Sequence, residues 1–406
     1  MNATVITVGN ELLTGQTVNT NLSFIAQHLR KTGVSVVRAL AIKDEAKAIH
    51  DALKNVDTEL IIFTGGLGPT QDDLTKESVC AFFSLPLERN AASLERIQQT
   101  FNRVGRPMSE TNLKQADFPK EAIIINNDVG TAPGAIIAIE DKTIVLLPGP
   151  PSEMRPMFPF VIDYLKERTK QTLMEAGYLL VGIPEADIEG ELKAMYKAHP
   201  DVNIAPYANL SEIKVMFNSE DPNALERALD DFKKVFSTYI VGPHNHTLEK
   251  LIVETLIAQD KTISFAESCT AGMLSARLVN VPNASHVFKE SLVLYSNHSK
   301  IKHLGVNNII MEKYGAVSDQ CVYELAYQLA QRTNASITMS VSGIAGPSGG
   351  TATKPVGTVY YGLHHEGKTK TTHRVFSGDR AMVRSKATTY GLYLILKALR
   401  HEDNHS

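Results

Sequence analysis

The sequence predicts an α/β protein in which two α/β domains are joined by a small α+β module. Apolar strand-like runs alternate with helical segments over the first 170 residues and again from about residue 246, and the pattern differs in between. Strands separated by helices are typical of parallel sheets covered on both faces. A length of 406 residues suits two or three domains of about 150 residues each. We therefore expect domains at residues 1–170, 171–245 and 246–406.

The first domain is predicted from its strands and helices in order. "ATVITVG" is an apolar, β-branched run, and the helix after it has Thr20 as a candidate cap and ends at Gly33. "VSVVRALAI" and "ELIIF" are predicted as further buried strands, with the helical "EAKAIHDALKNV" between them. We expect "AIIINN", "GAIIAIE" and "TIVLLPG" to extend this parallel sheet.

The remaining segments predict a different module and then a second α/β domain. The helical "EADIEGELKAMYKA" and "NALERALDDFKKVF" flank the alternating "NLSEIKVMF", which indicates a structural or dimer-forming module. "GPHNH" is predicted to be a solvated linker. After it, "TISFAES", "ESLVLYSN" and "SITMSVSG" are predicted strands. "KPVGTVYYGLHH" and "KTKTTHRVFSG" are expected to be antiparallel strands, and the final segment a helix.

Composition excludes several classes of function. The chain has 41 Lys and Arg against 44 Asp and Glu, without a basic cluster interleaved with aromatic residues, so we expect no direct nucleic acid binding. No apolar run approaches the ~20 residues that cross a bilayer, and the start does not resemble an export signal. We expect a cytoplasmic protein with no membrane association. The three cysteines lack the spacing of a disulfide framework or a thiolate zinc site.

The first candidate site is the loop "TGGLGPTQDDLTK", directly after the predicted strand "ELIIF". Ligands of open α/β sheets bind where strands end and helices begin. Gly65, Gly66 and Gly68 would let the backbone approach an anion closely, and Thr70 adds a hydroxyl donor. These features suit a phosphate group.

Asp72 and Asp73 would repel a phosphate unless a divalent cation lies between them, because hard cations take carboxylate and phosphate oxygens together. The spacing fits a helix cap formed by Asp73 or Thr75 equally well. Other loops at the same sheet edge add candidates for the ligand: Asn10, Glu11, Asn19, Asn21, Thr131 and Gly149.

The second candidate site is the turn "AESCTAG", where Ser268 lies between a predicted strand and a predicted helix. Free backbone N–H groups at the helix start would stabilise a developing oxyanion. Taken alone, a serine there is more often a helix cap. Tyr295 and Lys300 in "YSNHSK" favour catalysis, because a desolvated lysine can act as a base with tyrosine as relay. Cys269 is an alternative nucleophile, although adjacent residues generally point to opposite sides.

The first half resembles the amino-terminal domain of the CinA family (competence/damage-inducible protein A), which is related in fold to molybdopterin-binding enzymes. The resemblance rests on "TVGNELLTGQTVNTN", "TGGLGPTQDDLT", "GTAPG" and "LPGPPSEM". It implies a three-layer α/β domain that hydrolyses ADP-ribose to AMP and ribose 5-phosphate. The cofactor it implies is a divalent cation, such as cobalt or magnesium, which we assign to Asp72 and Asp73.

The second half resembles the carboxy-terminal domain of the same family, a nicotinamide mononucleotide (NMN) amidohydrolase that needs no cofactor. The matching segments are "AESCTAG", "LYSNHSK", "VSGIAGPSGG", "KPVGTV" and "FSGDR". The resemblance implies Ser268 as nucleophile, activated by Tyr295 and Lys300, and it places Ser285 and Ser342 at active-site positions. One departure is Ala271, where the family often has glycine.

The phosphate of NMN would need donors near this second site. Gly346, Gly349 and Gly350 offer backbone N–H groups, and Arg380 or Arg384 on the last helix offers a guanidinium group. A solvated helix surface explains the two arginines equally well.

The resemblance covers nearly the whole chain and implies a pyridine-nucleotide recycling enzyme, with NMN and ADP-ribose as substrates and a homodimeric assembly. Two alternatives stay open. In the first, only the deamidase is active and the first domain is a degenerate binder of nucleotide or pterin. In the second, the protein is a non-enzymatic scaffold in competence or recombination.

Overall fold

The computed structural model describes residues 1–169, 173–209 and 211–400. The chain divides into two compact units, Met1–Met174 and Glu175–Ser406. Both units are α/β, which confirms the predicted fold class. The predicted boundary between residues 170 and 171 lies outside the described residues.

Strands and helices alternate along the amino-terminal unit. Its strands are β1 (Asn2–Val8), β2 (Ser35–Ile42), β3 (Leu60–Thr64), β4 (Glu88–Arg89), β5 (Asp117–Phe118), β6 (Ile123–Ile125), β7 (Gly134–Ile139) and β8 (Lys142–Leu147). Its α-helices are α1 (Asn10–Leu13), α2 (Thr20–Arg30), α3 (Ala46–Lys54), α4 (Thr75–Phe82), α5 (Ala91–Arg103) and α6 (Pro151–Lys166), and Glu110–Ala116 form a 3₁₀ helix.

Six of these strands form one mixed sheet in the order β2-β1-β3-β8-β7-β6. The first four strands are parallel, as expected from the intervening helices. β7 and β6 run antiparallel to their neighbours, so the prediction of a wholly parallel sheet was wrong. The reason is local, because only two residues separate β7 from β8, too few for the crossover that parallel strands require.

The sheet separates two hydrophobic cores. Val5, Leu60 and Val145 face α2 and α6, whereas Ile6 and Ile61, one residue later in their strands, face α3 and α4. This alternation is the two-residue period of β-strands. β2 lies at the sheet edge and is mostly exposed, so the prediction that "VSVVRALAI" is a buried strand was wrong.

The carboxy-terminal unit contains a four-stranded and a five-stranded sheet. Its strands are β9 (Met174–Val181), β10 (Asn203–Asn209), β11 (Glu212–Ser219), β12 (Ile240–Pro243), β13 (Ile263–Glu267), β14 (Phe288–Val293), β15 (Ile337–Gly343), β16 (Thr358–His365) and β17 (Lys368–Val375). Its α-helices are α7 (Glu185–Ala198), α8 (Pro222–Phe236), α9 (Leu248–Ala258), α10 (Met273–Val279), α11 (Asn297–Leu304), α12 (Asn308–Lys313), α13 (Asp319–Thr333) and α14 (Arg380–Leu399), and Ala284–His286 form a 3₁₀ turn.

The smaller sheet has the order β10-β11-β9-β12 and the larger one the order β14-β13-β15-β16-β17. β14, β13 and β15 are parallel, and β16 and β17 are antiparallel, as predicted. Leu179 and Val241 of the smaller sheet belong to the same hydrophobic core as Leu248 and Phe265. The middle module and the last domain therefore share one core.

The predicted linker "GPHNH" is partly a strand. Gly242 and Pro243 belong to β12, and the backbone N–H of His244 donates to the Gly177 carbonyl at 3.0 Å. The prediction of a solvated linker was therefore wrong for Gly242 and Pro243. Among the described residues, no helix has both the length and the apolar character needed to span a bilayer.

Candidate active sites

The glycine loop after β3 packs tightly against the ends of the neighbouring strands. The backbone N–H of Gly65 donates to the Leu147 carbonyl at 3.0 Å, and a Cβ at Gly65 would collide with the Val8 carbonyl oxygen. Gly65 also has φ of 102°, in the region that favours glycine. This position therefore requires glycine, and the loop lies against the carboxyl ends of three parallel strands.

Asp72 and Asp73 do not cap the following helix. α4 begins at Thr75 after Leu74, without a side-chain cap. Asp73 Oδ2 instead accepts from the Thr70 backbone N–H at 2.9 Å and its hydroxyl at 2.6 Å. The Thr70 hydroxyl also donates to Asp72, and this bond holds the Asp72 pKa below its usual value. The alternative that Asp73 or Thr75 merely caps the helix was wrong.

Five carboxylates line one cavity of about 380 Å³ at this sheet edge: Glu11, Asp44, Asp72, Asp73 and Glu153. No lysine or arginine lines it within the described part of the chain. Burial raises the pKa of Asp44, and the nearby Glu11, Asp72 and Asp73 raise it further. The cavity therefore has a strongly negative potential that a bound cation would relieve.

Most residues predicted for the first site line this cavity: Glu11, Gly65, Gly66, Gly68, Asp72, Asp73, Thr131 and Gly149. Asn10, Asn21 and Thr70 are not among the residues that line it. The Asn21 amide is buried and donates to the Gly149 carbonyl at 2.7 Å, so it positions that loop. The Asn10 backbone N–H donates to Asp44 at 3.1 Å, and Thr70 holds the two aspartates.

The sequence analysis missed Asp44, Glu153 and the 3₁₀ helix beside the loop. Lys114 of that helix donates to the carbonyls of Thr70 and Asp73, the latter at 2.8 Å, and Gln115 lines the cavity. Asp44 follows β2, so its place after a strand was a usable signal. A second cavity of about 330 Å³, lined by Arg96 and Arg103, also includes Thr131.

The second site brings Ser268 and Lys300 together directly. Ser268 follows β13, and its backbone N–H donates to the Val341 carbonyl at 2.9 Å. Lys300 of α11 places Nζ 3.0 Å from Ser268 Oγ and 2.6 Å from the Leu294 carbonyl. The Lys300 side chain is 1% exposed. The predicted nucleophile and the predicted base are thus within direct hydrogen-bonding distance.

Burial lowers the pKa of Lys300 below its ordinary value of 10.5. None of the described acidic side chains forms an ion pair with it, and the neighbouring thiols of Cys321 and Cys269 offset the loss of solvent only in part. Cys269 is a poor alternative nucleophile, because burial raises the pKa of its thiol to about 12. Desolvation therefore disfavours the ammonium form of Lys300 relative to a lysine in water.

The predicted relay through Tyr295 is not the arrangement in the structure. The Tyr295 hydroxyl accepts from Arg380 at 2.9 Å, and its ring is 59% exposed. The Tyr295 backbone carbonyl, rather than its phenol, lies 3.3 Å from Lys300 Nζ. Lys300 Nζ contacts Ser268 Oγ without an intervening group. A role for the Tyr295 side chain stays a prediction.

The amides at the start of α10 are already occupied, which corrects the predicted oxyanion donors. Glu267 is fully buried, and its carboxyl oxygens accept from the backbone N–H groups of Gly272, Leu274 and Ser275 at 2.9–3.2 Å. The Ser275 hydroxyl donates to it at 2.6 Å. Sequence analysis missed Glu267 because it placed the helix start at Thr270, whereas α10 begins at Met273. Ser268 does not cap this helix either.

The two arginines of α14 have different surroundings. Arg384 donates to the carbonyls of Cys269 and Thr270 at 2.9 and 3.0 Å, so it holds the serine turn. Arg380 donates to the Gly346 carbonyl at 2.8 Å as well as to Tyr295. Arg384 is half-buried, so the alternative of a solvated surface charge was wrong for it, whereas Arg380 is exposed.

The other predicted residues lie around this group. Ser342 is buried on β15, next to the Val341 carbonyl that binds the Ser268 backbone. Gly346, Gly349 and Gly350 form the loop after β15. Ser285 is exposed on the 3₁₀ turn, outside the hydrogen-bonded group. Their roles in substrate binding stay predictions.

Ala271 occupies a conformation that disfavours it. Its φ of 49° lies in the left-handed region, which costs a residue with a Cβ roughly 1 kcal/mol or more. The structure thus gives a physical reason for a glycine at this position of the turn.

Comparisons with known proteins identify both halves of the chain. Residues 4–167 match the model of a probable molybdopterin binding domain, and residues 245–399 match the CinA C-terminal domain. The CinA-like protein of Dictyoglomus thermophilum is 40% identical over 98% of this chain and 99% of its own length. A putative competence-damage inducible protein of Alkaliphilus metalliredigens is 39% identical over the same shares.

Solved structures include a competence or damage-inducible protein from Enterobacter asburiae. It is 35% identical and matches 38% of this chain and 99% of its own, with a TM-score of 0.37. The full-length relatives and the two domain matches lead to one conclusion. The chain belongs to the CinA family, with a molybdopterin-binding-like amino-terminal domain and a CinA carboxy-terminal domain.

Proposed function

We propose that the carboxy-terminal unit hydrolyses the carboxamide of NMN to nicotinate mononucleotide and ammonia. The observation that supports this most is the 3.0 Å separation between Lys300 Nζ and Ser268 Oγ in a buried environment. The resemblance to NMN amidohydrolases supplies the substrate. A serine with a neutral amine base suits acyl transfer, in which an amide carbon is attacked.

The reaction proceeds in two halves. Neutral Lys300 accepts the Ser268 hydroxyl proton as Oγ bonds to the carboxamide carbon, and the carbonyl oxygen becomes an oxyanion. When the C–N bond breaks, the Lys300 ammonium returns the proton to the leaving nitrogen and ammonia departs. Lys300 then accepts a proton from water as that water attacks the acyl-enzyme ester. Ser268 recovers its proton, and nicotinate mononucleotide is released.

Neighbouring groups support these steps. The Cys269 sulfur lies against the backbone N–H groups of Cys269 and Thr270, and Glu267 accepts from those further along, so this proposal takes no oxyanion donor from the start of α10. Arg384 holds the carbonyls of the same two residues. Arg380 and the loop containing Gly346 are the proposed phosphate contacts.

Ammonia release from NMN by the purified chain tests this function. Ser268→Ala and Lys300→Met should each reduce the rate roughly 10³-fold, and the double variant should be little worse, because the two groups act as one unit. Lys302→Met, which changes an exposed lysine on the same helix, should keep the wild-type rate. Wild-type rates in Ser268→Ala would contradict the proposal.

We also propose that the amino-terminal unit hydrolyses ADP-ribose to AMP and ribose 5-phosphate with the help of a divalent cation. Five carboxylates around a cavity beside a glycine loop support this, since a diphosphate would be repelled without a cation. Asp72 and Asp73 would hold the cation, which would supply charge neutralisation and polarise a phosphate oxygen.

The donor set fits such a cation, because Asp72 and Asp73 offer the hard oxygen ligands that it prefers. Within the described residues there is no group of three or more His, Cys, Asp or Glu side chains close enough for one ion. Substrate phosphates and water would complete the coordination, as is common for magnesium. The adjoining cavity with Arg96 and Arg103 has room for the remainder of the substrate.

A further inference from the structure

A third cavity, of about 790 Å³, lies in the carboxy-terminal unit away from the serine site. Its lining residues come from the loop after β9, from Asn209, Ser211 and Ile213, from the end of β17 and from Lys386 and Tyr390 of α14. Its volume is within the range of small-molecule pockets. Lys386 lies two residues after Arg384, and residues two apart are roughly 200° apart around a helix. The cavity is therefore on a different face of α14 from the serine turn.

The cavity is positively charged. Arg374 and Lys386 line it, and none of its described lining residues is acidic. Lys386 Nζ donates to the Ser377 carbonyl at 2.8 Å, and the Arg374 guanidinium lies 4.7 Å from the centre of the Tyr390 ring. Neither cation forms an ion pair with a described carboxylate, although the whole chain has a net charge of −3. Two unneutralised cations at one cavity favour an anionic ligand.

Aromatic and aliphatic side chains form the rest of the wall. The Phe376 and Tyr390 rings lie 6.1 Å apart at 66°, and Ile183 and Val375 add apolar surface. A simple inorganic anion would leave this surface unused. A ligand with a planar apolar part beside its anionic group would contact both kinds of surface.

We propose that this cavity binds a nucleoside phosphate, with its phosphate group near Arg374 and Lys386 and its base against Phe376 and Tyr390. The site is separate from the serine site and from the carboxylate cavity of the other unit. It involves no covalent step.

The cavity is linked through the backbone to the serine site. Arg374 and Ser377 lie shortly before Arg380, which contacts Tyr295 and Gly346. A phosphate that draws Lys386 away from the Ser377 carbonyl would loosen the segment that carries Arg380. We therefore expect an occupant to change KM for NMN, a consequence that rests on the proposed deamidase function.

Calorimetric titration of the full chain with AMP tests the site without needing turnover. Arg374→Glu and Lys386→Glu should each remove one AMP site per chain or weaken it at least tenfold, as expected when an attractive charge becomes repulsive. Lys368→Glu makes the same change of charge on β17 outside the cavity and should bind like wild type. If Arg374→Glu fails to fold, Lys386→Glu on another element carries the test.

Parallel titrations with ribose 5-phosphate and with adenosine test the two parts of AMP one at a time. The first ligand lacks the base and the second lacks the phosphate. Each should bind at least tenfold more weakly than AMP at the site that the two variants remove. Equal binding of ribose 5-phosphate and AMP, or unchanged AMP binding in both variants, would overturn the proposal. An unchanged KM for NMN at saturating AMP would overturn the link to the serine site. Absence of any deamidation would instead contradict the proposed function and leave the AMP titration interpretable.

Discussion

The two candidate active sites lie at equivalent places in their sheets and use opposite electrostatic strategies. Both follow the carboxyl end of a parallel strand, β3 in one unit and β13 in the other. Asp72 is exposed and its pKa is lowered by the Thr70 hydroxyl, whereas Lys300 is buried and its pKa is lowered by desolvation. The surroundings therefore favour the charged form of Asp72 and disfavour the charged form of Lys300.

This contrast shows that the same position at a sheet edge can hold sites of different chemistry, because the side chains there determine the chemistry. Carboxylates in water suit binding of a hard cation with its phosphate ligand. A desolvated lysine amine suits proton transfer near neutral pH, because desolvation lowers its pKa. Substitutions that reverse these conditions at one site should leave the other site unaffected.

A large effect is expected at the carboxylate site. Replacing Asp72 and Asp73 together by asparagine should reduce ADP-ribose hydrolysis roughly 10²-fold or more, because both charged oxygen ligands are lost. NMN deamidation should be unchanged. AMP formation with added cobalt or magnesium is the measurement, and Asp163→Asn, an exposed aspartate of α6, is the control. Full turnover by the double variant in chelator would refute the cation proposal.

A smaller effect is expected from Glu267→Gln at the serine site. The amide group would present N–H₂ to backbone donors that now face a carboxyl oxygen, at a cost of about 2 kcal/mol. Displacement of the turn before α10 should lower kcat for NMN roughly tenfold, with little change in KM.

Steady-state kinetics together with urea unfolding of the full chain measure both effects of Glu267→Gln. Glu312→Gln, an exposed glutamate of α12, is the matched control and should change neither quantity. A purely structural role for Glu267 would lower stability with kcat intact.

The smallest expected effect is a gain in stability from Ala271→Gly. Relief of the left-handed backbone outweighs the added flexibility of the unfolded chain by roughly 0.5 kcal/mol. Ala276→Gly, in the exposed middle of α10, should have the opposite sign and cost about 1 kcal/mol. Thermal unfolding of both variants measures these changes in stability. Destabilisation by Ala271→Gly would show that the turn tolerates alanine without strain.

Much of the fold was predictable because local patterns determined it. The strand "ELIIF" and the loop after it were identified from a short apolar run and its glycines, and the structure places Asp72 and Asp73 at a shared cavity. The edge position of β2 was not predictable from its composition, because its apolar residues are typical of a central, buried strand.

Site residues whose partners come from other elements were harder to predict. Asp44 and Glu153 join the carboxylate cavity only through the strand order, and the sequence does not specify that order. Glu267 was missed because its role depends on a helix start three residues later than predicted. For Tyr295, the sequence placed the residue near Lys300, but the direction of its phenol depends on Arg380, 85 residues away.

The central claim is that buried, neutral Lys300 is the base for Ser268. The pKa of Lys300 is lowered, so kcat/KM for NMN should rise with pH as the ammonium loses its proton, with a midpoint below 10.5. The direct measurement is the steady-state kinetics of Lys300→Arg on NMN across this pH range. A guanidinium stays protonated, so we expect kcat to fall at least 10²-fold at every pH. A near-normal kcat with a raised KM would contradict the claim and make Lys300 a phosphate contact.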